Sequence, residues 1–215
     1  YSSIRYVAST TRNATGPSVS DPRTGEIIES DIIWYHNHLR SYRNRYLLET
    51  GAANLSARTL NTKPEEIGEM MRMVIAHEVG HALGLPHNMA ASFAYPVDSL
   101  RSGKFTQKYG IAATIMDYAR YNYIAQPGDE NIRFIRQLGP YDHYAINWGY
   151  RKIPTSKKPE DEVNTLDKWI SEKANDPKYR FGGQRFDPSS QTEGIILKTS
   201  DAADEREGRR RARRR

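Results

Sequence analysis

The residues best suited to metal chemistry are His77, Glu78 and His81. Side chains four residues apart on an α-helix lie one turn apart on the same face, so both imidazoles could reach one ion. Imidazole nitrogens bind zinc at about 2.0–2.1 Å. Glu78, next to the first histidine, is suited to act as a general base for a water molecule on the metal. The pattern therefore predicts a zinc site with a catalytic glutamate.

His87 is a third candidate ligand, six residues after His81. A continuing helix would carry His87 away from the metal, but Gly84 accepts the positive φ that reverses the chain. Three protein ligands leave the fourth position of the zinc open for water. The alternative, helix histidines that are hydrogen-bonded within a core, explains neither Glu78 nor the spacing from Gly84 to His87. The stretch HEVGHALGLPH thus predicts three ligands, one base and one glycine turn.

Met116 and Tyr118 lie in a second short stretch, TIMDY, and Met116 comes 29 residues after His87. A lone methionine is most often core filler. After an extended histidine motif, however, a methionine turn is typical of metzincins, and Met116 would form a floor beneath the histidines without binding the metal. Tyr118 matches the tyrosine of the astacin-like and serralysin-like metzincins, which approaches the zinc or supports the transition state. A packing or substrate-pocket role for Tyr118 is the alternative.

The elements that must position this motif are predicted from periodicity and turn residues. Residues 3–9 alternate as a strand does, and 17–34 predict a hairpin around a turn at 21–25. The motif helix is predicted to begin with a capping box at Thr62 and to end at Gly84. Further helices are predicted at 36–49, 97–102, 140–150 and 161–174.

Two apolar faces of the motif helix predict that it is buried over most of its circumference. The first face consists of Ile67, Met70, Val74, His77 and His81, and the second of Met71, Ile75, Val79 and Leu83. The other histidines, His36, His38 and His143, are expected to be structural or exposed.

The net charge of +6 depends strongly on the last fifteen residues, which hold seven arginines and four acidic residues. The remaining 25 basic and 22 acidic residues give +3, so we expect no nucleic-acid partner. An irregular to disordered tail is predicted for 186–215, with an interaction arm as the alternative. The chain has no cysteine, which excludes disulfides and thiolate chemistry. No apolar run approaches the roughly 18 residues that a membrane span needs.

Three segments resemble the EcxA-like zinc-binding metzincin domain of large bacterial proteins: MRMVIAHEVGHALGLPHNMAASFAYPVDSLRSG, ATIMDYARYNYIAQPGD and GPYDHYAINWGYR. The resemblance implies an α+β fold of the zincin type, with a twisted mixed sheet and the active-site helix above a cleft and an irregular, helix-ended subdomain below. It also implies a Zn²⁺ cofactor, endopeptidase activity on a peptide or protein substrate, and export to the periplasm, the cell surface or the medium.

On this resemblance we expect a catalytic domain over 1–185, with an upper part at 1–84 and a lower part at 85–185. Metzincins commonly begin with a strand and a long helix ahead of four more strands. Only three strand candidates precede the motif helix here, so we expect the first strand–helix unit to be missing and the chain to be a fragment. The sequence after 193 does not resemble the family, and no oligomeric state is predicted.

The resemblance also implies a mechanism. Zinc on His77, His81 and His87 would polarise a water molecule, and Glu78 would move its proton, with help from Tyr118 at the oxyanion. We expect the substrate to lie along an edge strand within 26–34.

A pocket beside the zinc is expected to be shaped by residues that follow the methionine turn, namely Arg120, Tyr121 and Tyr123. Two alternatives to the peptidase are a catalytically silent zinc-binding or surface-interaction module and a zinc hydrolase of non-peptide amides or esters. The intact Glu78 argues against the first alternative, and the methionine turn disfavours the second.

Overall fold

The computed structural model describes residues 2–59 and 61–183, so the prediction for the tail at 186–215 lies outside the described residues. Strands come first and helices follow. The strands are β1 (Ser3–Val7), β2 (Ala14–Thr15), β3 (Ser18–Ser20) and β4 (Ile27–Tyr35). The α-helices are α1 (His38–Thr50), α2 (Pro64–Ala82), α3 (Val97–Leu100), α4 (Gly103–Tyr109), α5 (Pro140–Tyr150) and α6 (Val163–Ser171). Short 3-10 helices span Leu55–Arg58, Met89–Phe93, Pro159–Glu162 and Pro177–Tyr179. This small mixed sheet with several helices confirms the predicted α+β class.

β4 is the central strand of the sheet. β1 pairs with it in parallel on one side, and β2 and β3 pair with it antiparallel on the other. Alternate residues of β4, among them Ile32 and Trp34, are buried, as expected for a strand with one face on the core. β1 lies beside β4 only from Asp31 onward, while residues 27–30 pair with β3 alone among the described strands. The prediction of an edge strand along all of 26–34 is therefore wrong for the part that β1 covers.

The hairpin of β3 and β4 is confirmed. Gly25 has a φ of +75°, and its N–H donates to the carbonyl of Asp21 at 2.8 Å. A positive φ is accessible to glycine without a steric penalty, so Gly25 allows this tight connection. The two-residue strand β2, which extends the same edge of the sheet, was not predicted.

The start of α2 differs from the prediction. Its N-cap is Lys63, without a capping hydrogen bond from a side chain, so the capping box predicted at Thr62 is wrong. Pro64 takes the first helical position, where a missing N–H costs nothing. Glu65 and Glu66 lie in the first turn, where their negative charges interact favourably with the positive end of the helix dipole and stabilise the helix.

One face of α2 is buried, with Met70, Met73 and Val74 in the core. The predicted burial of the neighbouring face is wrong in part, since its residues are only half-buried or, in the case of Leu83, 39% exposed and beyond the last helical residue. The half-buried residues are Met71, Ile75 and Val79.

The main core joins the sheet, α1, α2 and the segment 114–116. Trp34 of β4, Tyr46 of α1 and Val74 of α2 pack in one cluster with Ile115 and Met116. The motif helix is therefore held between the sheet and the segment that carries the predicted methionine turn.

The predicted helices at 36–49, 97–102, 140–150 and 161–174 are confirmed as α1, α3, α5 and α6, with ends that differ by a few residues. α4 was not predicted. Ser102, which we assigned to the end of the preceding helix, is its N-cap and accepts a hydrogen bond from the Phe105 N–H. Among the described helices, none combines the length and apolar character that crossing a membrane requires.

Candidate metal centre

The turn after α2 reverses the chain at Gly84, which has a φ of +83°. The Gly84 N–H donates to the His81 carbonyl and the Leu85 N–H to the Gly80 carbonyl, both at 2.9 Å. This pair of hydrogen bonds is a Schellman turn, which needs a residue that tolerates a positive φ. The turn brings His87 back to α2, so the role predicted for Gly84 is confirmed.

Three imidazoles converge at this turn. The Nε2 atom of His87 lies 3.2 Å from Nε2 of His77 and 3.0 Å from Nε2 of His81. One nitrogen from each of the three rings lies within 4.8 Å of the others. Nitrogens bound at about 2.0–2.1 Å to a tetrahedral zinc would be separated by about 3.4 Å. The three histidines therefore fit a zinc ion with small adjustments.

Carbonyl groups orient two of the imidazoles. The Nδ1–H of His77 donates to the Ile115 carbonyl at 2.8 Å, and that of His81 to the Leu85 carbonyl at 2.9 Å. Because a carbonyl only accepts, Nδ1 carries the proton and Nε2 presents a lone pair, the arrangement that metal-binding histidines use. Burial lowers the pKa of His77 to about 3, so this ring is neutral at pH 7.

Glu78 is buried beside the first histidine, with 8% of its surface exposed. Burial raises the pKa of its carboxyl group, and a hydrogen bond from the Gly16 N–H opposes that effect. A Cβ atom at Gly16 would come within 2.8 Å of the Glu78 carbonyl oxygen and 3.0 Å of Oε2. Gly16, between β2 and β3, thus allows the sheet edge to contact Glu78. The local sequence around Gly16 did not predict this role.

Met116 is fully buried beneath α2. A Cβ atom at Gly80 would overlap the Met116 sulfur, so the glycine within the histidine motif makes room for the thioether. The Met116 carbonyl also accepts a hydrogen bond from the Asn88 N–H at 3.1 Å. The methionine is therefore in contact with the helix that carries two of the histidines and with the residue after the third.

Asp142 holds the segment that precedes Met116. Its carboxylate accepts hydrogen bonds from the Thr114 hydroxyl, from the Ile115 N–H at 2.9 Å and from the Gly139 N–H at 2.7 Å. Because the Ile115 carbonyl in turn accepts from His77, the start of α5 is connected to the first histidine. Asp142 is not among the site residues that the sequence predicted.

Tyr118 lies against the histidines. Its ring centroid is 4.3 Å from that of His87 and 5.5 Å from that of His77. Burial raises the pKa of the phenol, and the nearby Glu78 raises it further, so the hydroxyl is protonated at neutral pH. The side chain is still 40% exposed, so a bound molecule can reach it.

The residues predicted to shape a pocket beside the zinc do not all do so. Tyr121 is only 3% exposed and packs against Tyr46 in the core, so its predicted pocket role is wrong. Arg120 donates to Glu49 at the end of α1, at 2.7 Å. Tyr123 is half-buried, and its role stays a prediction.

The remaining histidines lie apart from this group, as expected. His36 is exposed and contacts the Tyr6 hydroxyl. His38 packs edge-on against Trp34 and Tyr42, and His143 is exposed.

Asn88 is a structural residue of the site that the sequence did not reveal. It is fully buried, and its side chain donates to the Arg180 carbonyl and accepts from the Gly182 N–H, both at 2.9 Å. These bonds fix the chain after α6 beside His87. Such long-range contacts leave no periodic signal in the sequence.

A family model described as Met-zincin matches residues 59–211, which is more than half of the chain and includes the three histidines. The match extends past residue 193, so the expectation that the sequence departs from the family there is wrong. No match was found among curated proteins or among solved structures. The family implies a zinc ion, and the three imidazoles could hold it.

Proposed function

This chain belongs to the Met-zincin family, and from that premise we propose that it is a zinc-dependent endopeptidase. The observation that carries the proposal is the convergence of three imidazole nitrogens next to a buried glutamate. Catalytic zinc sites have three protein ligands and an open fourth position. A purely structural zinc site would more often be closed by a fourth side chain.

In this proposal His77, His81 and His87 hold the zinc through Nε2. Zinc, when bound, supplies the Lewis acidity that activates water near neutral pH and polarises a peptide carbonyl. The Glu78 carboxylate takes a proton from the attacking water and delivers it to the nitrogen of the departing amine. Its burial supports this role, because a raised pKa brings a carboxyl group closer to the pH at which it must accept and release protons.

Met116 and Tyr118 have supporting roles in the proposal. Met116 is the methionine of a Met-turn, a role supported by its contact with Gly80 on α2. The Tyr118 hydroxyl donates a hydrogen bond to the oxyanion that develops on the substrate carbonyl, supported by its protonation and by its contact with His87.

We place the substrate along the outer edge formed by β2 and β3. These strands pair only with β4 within the described part of the chain, so their other edge has backbone groups available for an added strand. The contact between Gly16 and Glu78 puts this edge beside the proposed general base. The resemblance to domains of large bacterial proteins further supports a bacterial, exported peptidase.

Incubation of the purified, zinc-loaded chain with a casein-like substrate tests the proposal. We expect cleavage of internal peptide bonds that a zinc chelator abolishes and added zinc restores. His87→Ala should lower the bound zinc and abolish cleavage together. A chain with one equivalent of bound zinc and no cleavage would instead be a silent zinc-binding module. Cleavage of esters or non-peptide amides alone would identify the other alternative.

A further inference from the structure

A cavity of about 430 Å³ lies beside α2, separate from the three histidines. Its walls come from α2 and from the segment 133–138, with the Ile115 residue between them. Four of the side chains that line it are charged, namely Glu69, Arg72, Arg133 and Arg136. Three guanidinium groups and one carboxylate give the cavity a formal charge of +2.

Arg136 is the most buried of these groups, with 7% of its surface exposed. Its Nη1 donates a long hydrogen bond of 3.4 Å to the Ile115 carbonyl. Among the described residues, Nε of Arg136 has no hydrogen-bond partner and no carboxylate pairs with the guanidinium. A buried charge without a partner is unfavourable, and its guanidinium group presents a fork of donors that suits an anion.

Arg133 adds a second buried guanidinium N–H that has no hydrogen-bond partner within the described part of the chain. Its Nη2 pairs with Glu69, while its Nε is buried and has no partner among the residues that the structure describes. Arg72, one turn along α2 from Glu69, is exposed at the mouth of the cavity. The three arginines therefore line the cavity from its exposed entrance at Arg72 to its buried end at Arg136.

We propose that this cavity is a binding site for a small dianionic compound, with an oxyanion group held by Arg136 and Arg133 and steered by Arg72. Arginine binds carboxylate and sulfate or phosphate oxygens with paired, charge-assisted hydrogen bonds. A dianion would neutralise the +2 charge of the cavity. The site lies next to the metal centre, because Arg136 and His77 donate to the same Ile115 carbonyl.

Calorimetric titration of the zinc-loaded chain with sulfate and with succinate, at constant ionic strength maintained with chloride, tests this site. We expect saturable binding of one dianion per chain. The binding should persist after the zinc is removed with a chelator, since none of the three histidines lines the cavity. The better of the two probes shows whether the ligand group is tetrahedral or a carboxylate.

Substitutions in the cavity should change the affinity in opposite directions. Arg136→Met should weaken binding by about tenfold or more, as the loss of a charge-assisted contact does. Arg72→Gln changes an exposed residue and should weaken binding several-fold without affecting the fold. Glu69→Gln should strengthen binding, because it removes the negative charge and frees Arg133. Arg40→Gln, which removes an exposed arginine of α1, is the matched control and should have no effect.

The proposal would be overturned by the absence of saturable binding above the chloride background. It would also be overturned if sulfate and succinate bound equally well to Arg136→Met and Arg72→Gln, or if binding disappeared with the zinc. None of these outcomes depends on peptidase activity, so a failure here is distinguishable from a failure of the proposed function.

Discussion

Glu78 shows how the environment of one side chain is fixed by a residue far away in the sequence. Its carboxylate accepts a hydrogen bond from the Gly16 N–H, and the Gly16 Cα packs against the backbone of α2. The general base proposed here is therefore held by its own helix and by the sheet edge. This contact also joins the proposed base to the edge where we place the substrate.

The contact at Gly16 leads to a prediction. Gly16→Ala adds a Cβ atom that would lie only 2.8 Å from the Glu78 carbonyl oxygen. Either Glu78 or the sheet edge must therefore shift. We expect the kcat/KM for peptide cleavage to fall about tenfold or more, as small displacements of catalytic groups cause. The zinc content should be unchanged. Gly68→Ala, where an added Cβ atom has nothing within 4 Å, is the matched control, and equal activities in the two variants would show that the contact at Gly16 is not needed.

At the scale of elements, α2 must pack closely on the segment 114–116. At Gly80 the helix and this segment lie so close that any side chain would overlap the Met116 sulfur. The same segment is held from the other side by Asp142 at the start of α5. His77 is oriented by the Ile115 carbonyl between these two supports, so the packing of elements determines the direction of a proposed metal ligand.

Alanine substitutions at two glycines of α2 should change the free energy of unfolding in opposite directions. Gly68 has nothing within 4 Å of an added Cβ atom, so Gly68→Ala should stabilise the protein by about 0.5–1 kcal/mol through its helix propensity. Gly80→Ala gains the same propensity but overpacks the Met116 site, at a cost of about 1–3 kcal/mol. We expect net destabilisation, measured by urea unfolding. A Gly80→Ala protein as stable as Gly68→Ala would show that Met116 does not pack tightly beneath the helix.

Much of the local structure could be predicted because its causes are local. The spacing of His77, His81 and His87 and the glycine at position 84 specify a helix and a reversing turn, and both occur as expected. The capping box at Thr62 failed because Pro64 starts the helix one residue later. The predicted edge position of β4 failed from Asp31 onward, where β1 pairs with it, because the sequence of one strand does not indicate how many strands will lie beside it.

At the scale of the whole molecule, the residues that support the site come from separate parts of the chain. Gly16, Arg136 and Asp142 reach the centre only through tertiary contacts, so no sequence motif indicated them. Asn88 follows His87 directly, but its role depends on hydrogen bonds to distant residues. The match to the Met-zincin family covers 59–211 and so leaves out the strands that contribute Gly16 and the sheet edge. The proposed activity therefore depends on contacts between the matched region and the sheet that precedes it.

The measurement that tests the proposed function most directly is peptide cleavage by zinc-loaded Glu78→Gln compared with the unchanged chain. The glutamine keeps the shape of the side chain and can still accept a hydrogen bond from the Gly16 N–H, but it cannot take a proton. We expect equal zinc content by atomic spectroscopy, an equal melting temperature within a few degrees, and a loss of kcat of about 10²-fold or more. Cleavage at the original rate by a Glu78→Gln protein that retains its zinc would contradict the assignment of Glu78 as the general base.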